Sequence, residues 1–247
     1  MWKNRKVSVI FPTYNEKDSM RSSIEDFFSA GYVDEVLVVD NNAAEGTQEE
    51  VRKTKARLVC ETRQGYGYAI HRGLAESNGY YLIISEPDNT FSGHDVIKLL
   101  AYADDFDVVF GTRTTRTLIW TGANMGFMLR WGNWVVSKII EILFNTSSLT
   151  DVGCTMKLIK REAYEKIRPF FTIGGSQFNP ELMILVILNR IKFIEIPVNY
   201  RPRVGRSSVT GNKLVAFGLG LRMVGLIIRY RMDSWFSRKY LPRKCKR

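Results

Sequence analysis

Tyr80-Tyr81-Leu82-Ile83-Ile84-Ser85-Glu86-Pro87-Asp88-Asn89-Thr90 is the stretch on which the reading of this chain turns. It opens as a five-residue apolar run, which suits a strand buried on both faces. Pro87 has no N–H for a sheet ladder, so the strand is expected to stop at about Ser85. Glu86 and Asp88 then stand at the carboxyl end of a core strand. In open α/β sheets ligands bind at that end. Two carboxylates there, with His94 the one nearby His or Cys, suit a hard cation such as Mg²⁺ or Mn²⁺. Such a cation commonly accompanies a diphosphate. The stretch alone fits a plain acidic turn equally well.

The segments around it repeat one pattern. Val7 to Phe11 reads as a strand ending in Pro12-Thr13-Tyr14-Asn15-Glu16, and Lys17 to Ala30 as a helix stopped by Gly31. Glu35 to Asp40 is a second strand, followed by Asn41-Asn42 and a polar helix from Thr47 to Lys55. Ala56 to Cys60 is a third strand. Arg63-Gln64-Gly65-Tyr66-Gly67 opens a helix running to Asn78. After the Glu-Pro-Asp strand, Ser92 and Asp95 predict a capping box for a helix to Tyr102. Asp107 to Phe110 is a further strand, ending in Gly111-Thr112-Arg113. Alternating β and α elements predict a mostly parallel sheet with helices on both faces. Every polar cluster follows a strand, so four of them meet on one rim, where ligands bind. Neither the Gly-x-Gly-x-x-Gly dinucleotide fingerprint nor a P-loop is present.

The chain has 247 residues, 45% hydrophobic and 25% charged, enough for one large core. Its formal net charge of +11 favours anionic partners: nucleotides, phosphates, anionic membrane or nucleic acid. Cys60, Cys154 and Cys245 are odd in number and scattered, which fits neither a disulfide framework nor a zinc motif and predicts a reducing compartment. No signal peptide is apparent at the N-terminus, and no uncharged apolar run reaches the ~18–20 residues of a membrane span.

These pieces together resemble the GT-A glycosyltransferases of family 2, and within it the dolichyl- or polyprenyl-phosphate mannose and glucose synthases. The resemblance rests on Val7 to Glu16, Val38-Val39-Asp40-Asn41-Asn42 with Gly46-Thr47, Gly65 to Ile70 with Gly73, Glu86-Pro87-Asp88, and Gly111-Thr112-Arg113. It continues through Asp151-Val152-Gly153-Cys154-Thr155 and Ile196 to Arg203, and covers about residues 6 to 208. It implies a GT-A (nucleotide-diphospho-sugar transferase, Rossmann-like) α/β fold over residues 1–210. Pro12, Tyr14, Glu16, Asp40, Asn42, Gly65 and Arg203 would then bind a nucleotide-sugar. Glu86 and Asp88 would hold Mg²⁺ or Mn²⁺. Asp88, Arg113, Arg130 and Asp151 would serve the reaction, with Asp151 as base if the acceptor is an alcohol. The donor would be a GDP- or UDP-sugar, and the acceptor a polyprenyl phosphate. Three departures bear on specificity: Glu86 replaces Asp, Thr90 stands where mannose synthases can place a Gln ligand, and Gly205-Arg206-Ser207-Ser208 replaces Gly-Glu-Ser-Lys.

In the second half, Phe127 to Phe144 reads as an amphipathic helix. Its polar stripe is Arg130, Asn133, Ser137 and Glu141; its apolar face holds Met128, Val135, Val136, Ile139, Ile142 and Leu143. Trp131 and Trp134 fit the core or a membrane-facing edge. Glu181 reads as an acid at a helix N-terminus, and Ile191 to Val198 as a strand. Leu214 to Tyr230 is the most apolar helical stretch, with Arg222 and Arg229 on one strip and a basic, aromatic tail after it. Residues 211–247 therefore predict an amphipathic helix on an anionic membrane surface, peripheral at its cytoplasmic face. The expected function is transfer of mannose or glucose from a nucleotide-sugar to a polyprenyl phosphate. A family-2 transferase acting on a saccharide, a nucleotide-sugar sensor, and a basic nucleic-acid-binding protein are the competing readings. The last leaves the acidic rim unexplained, so no nucleic-acid partner is expected.

Overall fold

The computed structural model of the protein describes residues 1–123, 125–205 and 213–236. The stretch from Arg206 to Ser208 and the basic tail therefore lie outside the described residues. Strand and helix alternate through the first half: β1 (Val7–Thr13), α1 (Lys17–Ser29), β2 (Glu35–Asp40), α2 (Thr47–Arg52), β3 (Arg57–Cys60), α3 (Tyr66–Glu76), β4 (Tyr81–Ile84), α4 (Val96–Tyr102) and β5 (Val108–Thr112). The second half adds α5 (Phe127–Phe144), β6 (Lys157–Lys160), α6 (Arg161–Ile167), α7 (Phe178–Leu188), β7 (Phe193–Pro197) and α8 (Lys213–Phe236).

The seven strands form one sheet in the order β3-β2-β1-β4-β6-β5-β7. Neighbours are parallel except around β6, which runs antiparallel to both β4 and β5. Lys157 pairs with Ile84 on one side and Phe110 on the other. Strand β6 and helix α6 were not foreseen. Lys157-Leu158-Ile159-Lys160 is too short and too polar at its ends for a periodicity test to register.

Two apolar layers sandwich the sheet. Met20, Ile24 and Phe27 of α1 with Val96 and Leu99 of α4 cover one face. Ile70 and Leu74 of α3, Ile140 of α5, Ile167 of α6 and much of α7 cover the other. Central strands are buried on both faces, so β1 and β4 show continuous apolar runs instead of alternation.

Several local expectations are corrected. The Ser92 side chain accepts from His94 N, while Asp95 N donates to the Ser92 carbonyl, and Gly93–Asp95 is a 3₁₀ turn before α4. The Asp95 carboxylate leaves the helix start and accepts from Asn199 N and Nδ2. Glu181 does lie in the first turn of α7, as expected, but it is also bound from outside the helix. It is fully buried and accepts from Thr172 N at 2.9 Å, Ile173 N at 3.0 Å and Tyr230 Oη at 2.6 Å. A buried carboxylate persists only with such donors, and here they tie α8 to the 172–173 loop.

Met223, Ile227 and Tyr230 recur at helical spacing and turn one side of α8 into the core. Phe217, Leu221, Ile228 and Trp235 remain exposed on the same helix. Helix α5 behaves similarly: Val136 and Ile140 face inward, while Met128, Ile142, Trp131 and Trp134 are exposed. The two tryptophans are thus not core, Met128 and Ile142 do not belong to the inner face, and Ser137 of the expected polar stripe is fully buried. Among the described residues no helix is long and apolar enough to cross a membrane.

His71 of α3 stacks on Phe171 with ring centroids 5.0 Å apart and meets Phe178 edge-on. Its Nε2 is buried without a hydrogen-bond partner. Burial lowers its pKa from 6.5 to about 4. The unfolded chain then binds this proton between pH 6.5 and 4 while the folded chain does not, so His71 costs stability as pH falls through that window. His71→Phe keeps the stacking. Its urea midpoint should match the native protein at pH 7.5 and exceed it at pH 4.5. An equal acid response of the two proteins would contradict this assignment.

Candidate active site

The rim is assembled by strand direction. Parallel strands β1, β2, β4, β5 and β7 bring their carboxyl ends to it, whereas antiparallel β6 brings its start. The residues before β6, Asp151 to Thr155, consequently meet the turn after β5 that carries Arg113.

At the centre lies the acidic pair after β4. Asp88 is fully buried, and its Oδ1 accepts from Thr90 N at 2.9 Å and from Thr90 Oγ1. Thr90 thus shapes the turn holding Asp88. One nitrogen of Arg203, Nη2, lies 2.8 Å from Glu86 Oε2 and 2.6 Å from Asp88 Oδ2. The second contact is charge against charge, for Asp88 Oδ2 is buried with no hydrogen bond aimed at it. Burial and the Asp88 charge push the Glu86 carboxyl up to about 8, with Arg203 pulling the other way. Backbone bonds from Arg201 N to Thr90 O and from Val204 N to Asp88 O run the 201–204 segment alongside the acids.

The pair fits a divalent cation. Asp88 Oδ2 is held by charge alone, and one cationic nitrogen already spans both acids, so the place suits a cation. Among the described residues no three acidic, His or Cys side chains form a complete ligand set. Mg²⁺-type sites usually take one or two carboxylates and draw the remainder from substrate phosphates and water.

A second buried pair lies at the end of β5. Arg113 N and Nε donate to Asp151 Oδ2 at 2.9 and 2.8 Å, and Nη2 donates to Oδ1 at 2.9 Å. Burial opposes both charges, yet Asp151 holds the guanidinium well above its ordinary pKa and Arg113 holds the carboxyl below its own. Asp151 Oδ1 also accepts from Gly153 N. With both oxygens engaged and a lowered pKa, Asp151 is poorly suited to take a proton. The expectation of a base at this position is replaced by that of an anchor for Arg113. Arg113 Nη1 makes no hydrogen bond among the described residues. Tyr200 stacks under this guanidinium at 5.0 Å, and the acidic pair and Arg203 act on its hydroxyl as well, so it stands between the two clusters.

The remaining predicted residues line the β1 and β2 side. Glu16 Oε2 accepts from Tyr14 N, Asn15 N and Thr13 Oγ1, closing the turn after β1. Pro12 is buried within β1, and Tyr14 is exposed. Asp40 accepts from Ala43 N and Gln48 Nε2, so both its oxygens are occupied. Asn42 is exposed, in a left-handed conformation, and donates to Thr62 O and Gln64 Oε1. Gly65 has a close backbone neighbour: a Cβ there would lie 2.2 Å from Gly174 O. Its glycine is explained by the 173–174 chain crossing over it. Sequence reasoning gave no separate role to Asn41. Buried, it donates to Glu61 O and Arg63 O and accepts from Gly65 N, stitching the glycine loop to β2. Its place at a strand end within Asp-Asn-Asn was the available signal.

Arg130 is half-buried near the start of α5 and has no side-chain partner among the described residues. Asn133, one turn further on the same stripe, abuts Gly153, where a Cβ would lie 2.5 Å from Asn133 Oδ1 and 3.0 Å from Arg113 Nη2. The stripe therefore adjoins the Arg113–Asp151 pair, although Arg130 touches neither.

A mixed sheet of this order with helices on both faces is the GT-A arrangement, and the comparisons agree. The profile of glycosyl transferase family 2 matches residues 8–168, and the chain belongs to that family. It is 28% identical to an uncharacterised glycosyltransferase of Mycobacterium bovis, over 83% of this chain and 90% of the relative. It is also 28% identical to a dolichyl-phosphate hexose transferase of Haloferax volcanii, over 82% of this chain and 86% of the relative. A dolichyl-phosphate beta-glucosyltransferase of Saccharomyces cerevisiae is 24% identical, over 92% and 74%. Among solved structures, glucosyl-3-phosphoglycerate synthase of Mycobacterium tuberculosis, crystallised with Mn²⁺, UDP-glucose and phosphoglyceric acid, superposes with a TM-score of 0.72. That match has 17% identity and covers 98% of this chain and 82% of the other. At that identity the likeness is one of fold.

Arg113 is buried, whereas Arg116, three residues on, is exposed and free of resolved partners. Arg113→Ala should lower turnover by about a hundredfold, the scale of losing one preorganised charge donor. Arg116→Ala should leave turnover within about twofold, as surface substitutions generally do. Equal losses in steady-state assays would mean that the loop after β5 is placed wrongly.

Proposed function

We propose that this glycosyltransferase moves a hexose, mannose or glucose, from a GDP- or UDP-sugar to a polyprenyl phosphate, inverting the anomeric carbon. The observation that carries the reading is the half-buried Glu86 and fully buried Asp88 spanned by one Arg203 nitrogen, with Asp88 Oδ2 held by that charge alone. Arg203 offsets part of the cost of setting these acids together, and a divalent cation bound there would offset more. Glu86 and Asp88 would hold Mg²⁺ or Mn²⁺, which when bound supplies Lewis-acid neutralisation of the leaving diphosphate.

This chain's own residues do the rest. The turns carrying Pro12, Tyr14, Glu16, Asp40, Asn42 and Gly65 form the nucleotide side of the rim. Arg203 and the open edge of Arg113 offer preorganised positive charge where negative charge grows. In the transfer, an acceptor phosphate oxygen forms a bond to the sugar C1 as the C1–O bond to the nucleoside diphosphate breaks. The bonding pair leaves with the diphosphate. A phosphate monoester has its second pKa at ~6 and arrives already ionised. An alcohol would need a base, and Asp151 is committed to Arg113. The acceptor that brings its own ionised oxygen is therefore favoured over a saccharide. Arg130, on the α5 stripe beside Gly153, is suited to the acceptor phosphate. The named activities of the Haloferax and yeast relatives support a lipid phosphate acceptor.

A lipid acceptor requires work at a bilayer surface. Residues 1–210 would carry the chemistry and 211–247 would add membrane contact. Exposed Trp131 and Trp134 on α5 and Phe217, Leu221 and Trp235 on α8 supply apolar and interfacial groups on two helices that pack together. Arg231 joins them, with Phe144 of α5 and Trp235 of α8 under its guanidinium. The net charge of +11 suits anionic lipid.

The test is a screen of labelled UDP-glucose and GDP-mannose with undecaprenyl phosphate in phosphatidylcholine vesicles, with and without phosphatidylglycerol. A lipid-linked sugar should form with one donor, faster on the anionic vesicles. Transfer to a soluble saccharide and none to the lipid would overturn the acceptor reading. Equal rates and equal sedimentation with both kinds of vesicle would overturn the anionic-surface reading.

A further inference from the structure

Glu195 stands within β7 between Ile194 and Ile196, paired in register with Phe110 of β5. An acid in this apolar surrounding needs a reason, because burial disfavours its charge. Its carboxylate reaches the loop ahead of β6. Oε2 accepts from Thr150 N and Thr150 Oγ1, both at 2.7 Å, and Oε1 accepts from Asp151 N at 3.0 Å. Thr150 Oγ1 lies 2.8 Å from Thr112 Oγ1 and 3.1 Å from Thr114 Oγ1, on either side of Arg113. The next side chain in the loop, Asp151, takes three hydrogen bonds from Arg113. Residues 150–151 belong to no strand, so a side-chain carboxylate provides the grip that a ladder gives elsewhere. Burial moves the Glu195 carboxyl up to about 7, against the pull of these donors.

We propose that Glu195 is a positioning residue for the transfer reaction: it fixes the 150–151 backbone so that Asp151 holds the Arg113 guanidinium toward the leaving diphosphate. The proposal rests on the role given to Arg113 under Proposed function. Glu195 itself touches no substrate, and it acts through two intervening residues. Three donors converge on its carboxylate, so a Gln there turns an NH₂ against one or more N–H groups and loosens the loop without emptying the site.

The test is a double-mutant cycle on the full chain with Glu195→Gln and Arg113→Ala. Turnover is measured with UDP-glucose or GDP-mannose and undecaprenyl phosphate, and UDP or GDP binding by calorimetry. Glu195→Gln alone should lower kcat about tenfold or more while nucleotide affinity stays within about threefold; in the Arg113→Ala background it should change kcat by less than about twofold. If Glu195→Gln does not fold, Glu195→Asp, with its carboxylate one methylene further back, takes its place in the same cycle. The same fold-loss in both backgrounds, or no loss in the native background, overturns the proposal while leaving Arg113 in place. An Arg113→Ala variant with native turnover overturns the role of Arg113, and that of Glu195 with it.

Discussion

Two carboxyl groups flanking Pro87 at the end of β4, Asp88 fully buried and Glu86 half-buried, are the constraint around which this molecule is arranged. Carboxylates so placed cannot both ionise without a cation against them. Arg203 sets a cation against them, and it comes from the segment that follows β7. To deliver it, β7 must lie at the sheet edge beyond β5, and the chain after it must turn back beside residues 88–90. The backbone bonds of Arg201 and Val204 to Thr90 and Asp88 accomplish this. The anchoring of Asn199 to Asp95 does the same from the other side. The acids thus organise the fold's closing segment as well as the rim.

The single antiparallel strand is the second determinant. Had β6 run parallel, its carboxyl end would have reached the rim and Asp151 would have lain at the opposite edge. Its reversal sets the Asp151 carboxylate against Arg113. Both Asp151 oxygens are hydrogen-bonded, which makes a buried ion pair tolerable and directional. The outcome is two cationic side chains held differently beside one site: Arg203 across the acids, and Arg113 fixed by an acid of its own.

Much of this was legible in the sequence because it depends on short-range signals. Continuous apolar runs marked β1, β2 and β4, and Pro87 marked where β4 stops. The polar clusters after the strands marked the rim. The less legible parts depend on contacts distant in sequence. Nothing local in Lys157-Leu158-Ile159-Lys160 announces a central strand. Nothing near Glu181 announces that Tyr230 would reach it, or that a helix with exposed aromatics would also supply core residues. Asp151 was singled out in the sequence, but its partner decides whether it is suited to be a base or an anchor, and Arg113 is 38 positions away. Gly65 was visible as glycine, yet its cause is the backbone of Gly174.

Under the proposed function, Glu86 and Asp88 would be the seat of a divalent cation that a diphosphate completes. Electron paramagnetic resonance titration of Mn²⁺ into the native protein and Asp88→Asn, each with and without UDP, measures this without reference to turnover. In the native protein UDP should tighten Mn²⁺ binding by about tenfold or more, since ligands that share contacts are reciprocally coupled. Asp88→Asn should lose that coupling while keeping its melting temperature within a few degrees. Equal Mn²⁺ affinity in the two proteins, with UDP present, would contradict the account.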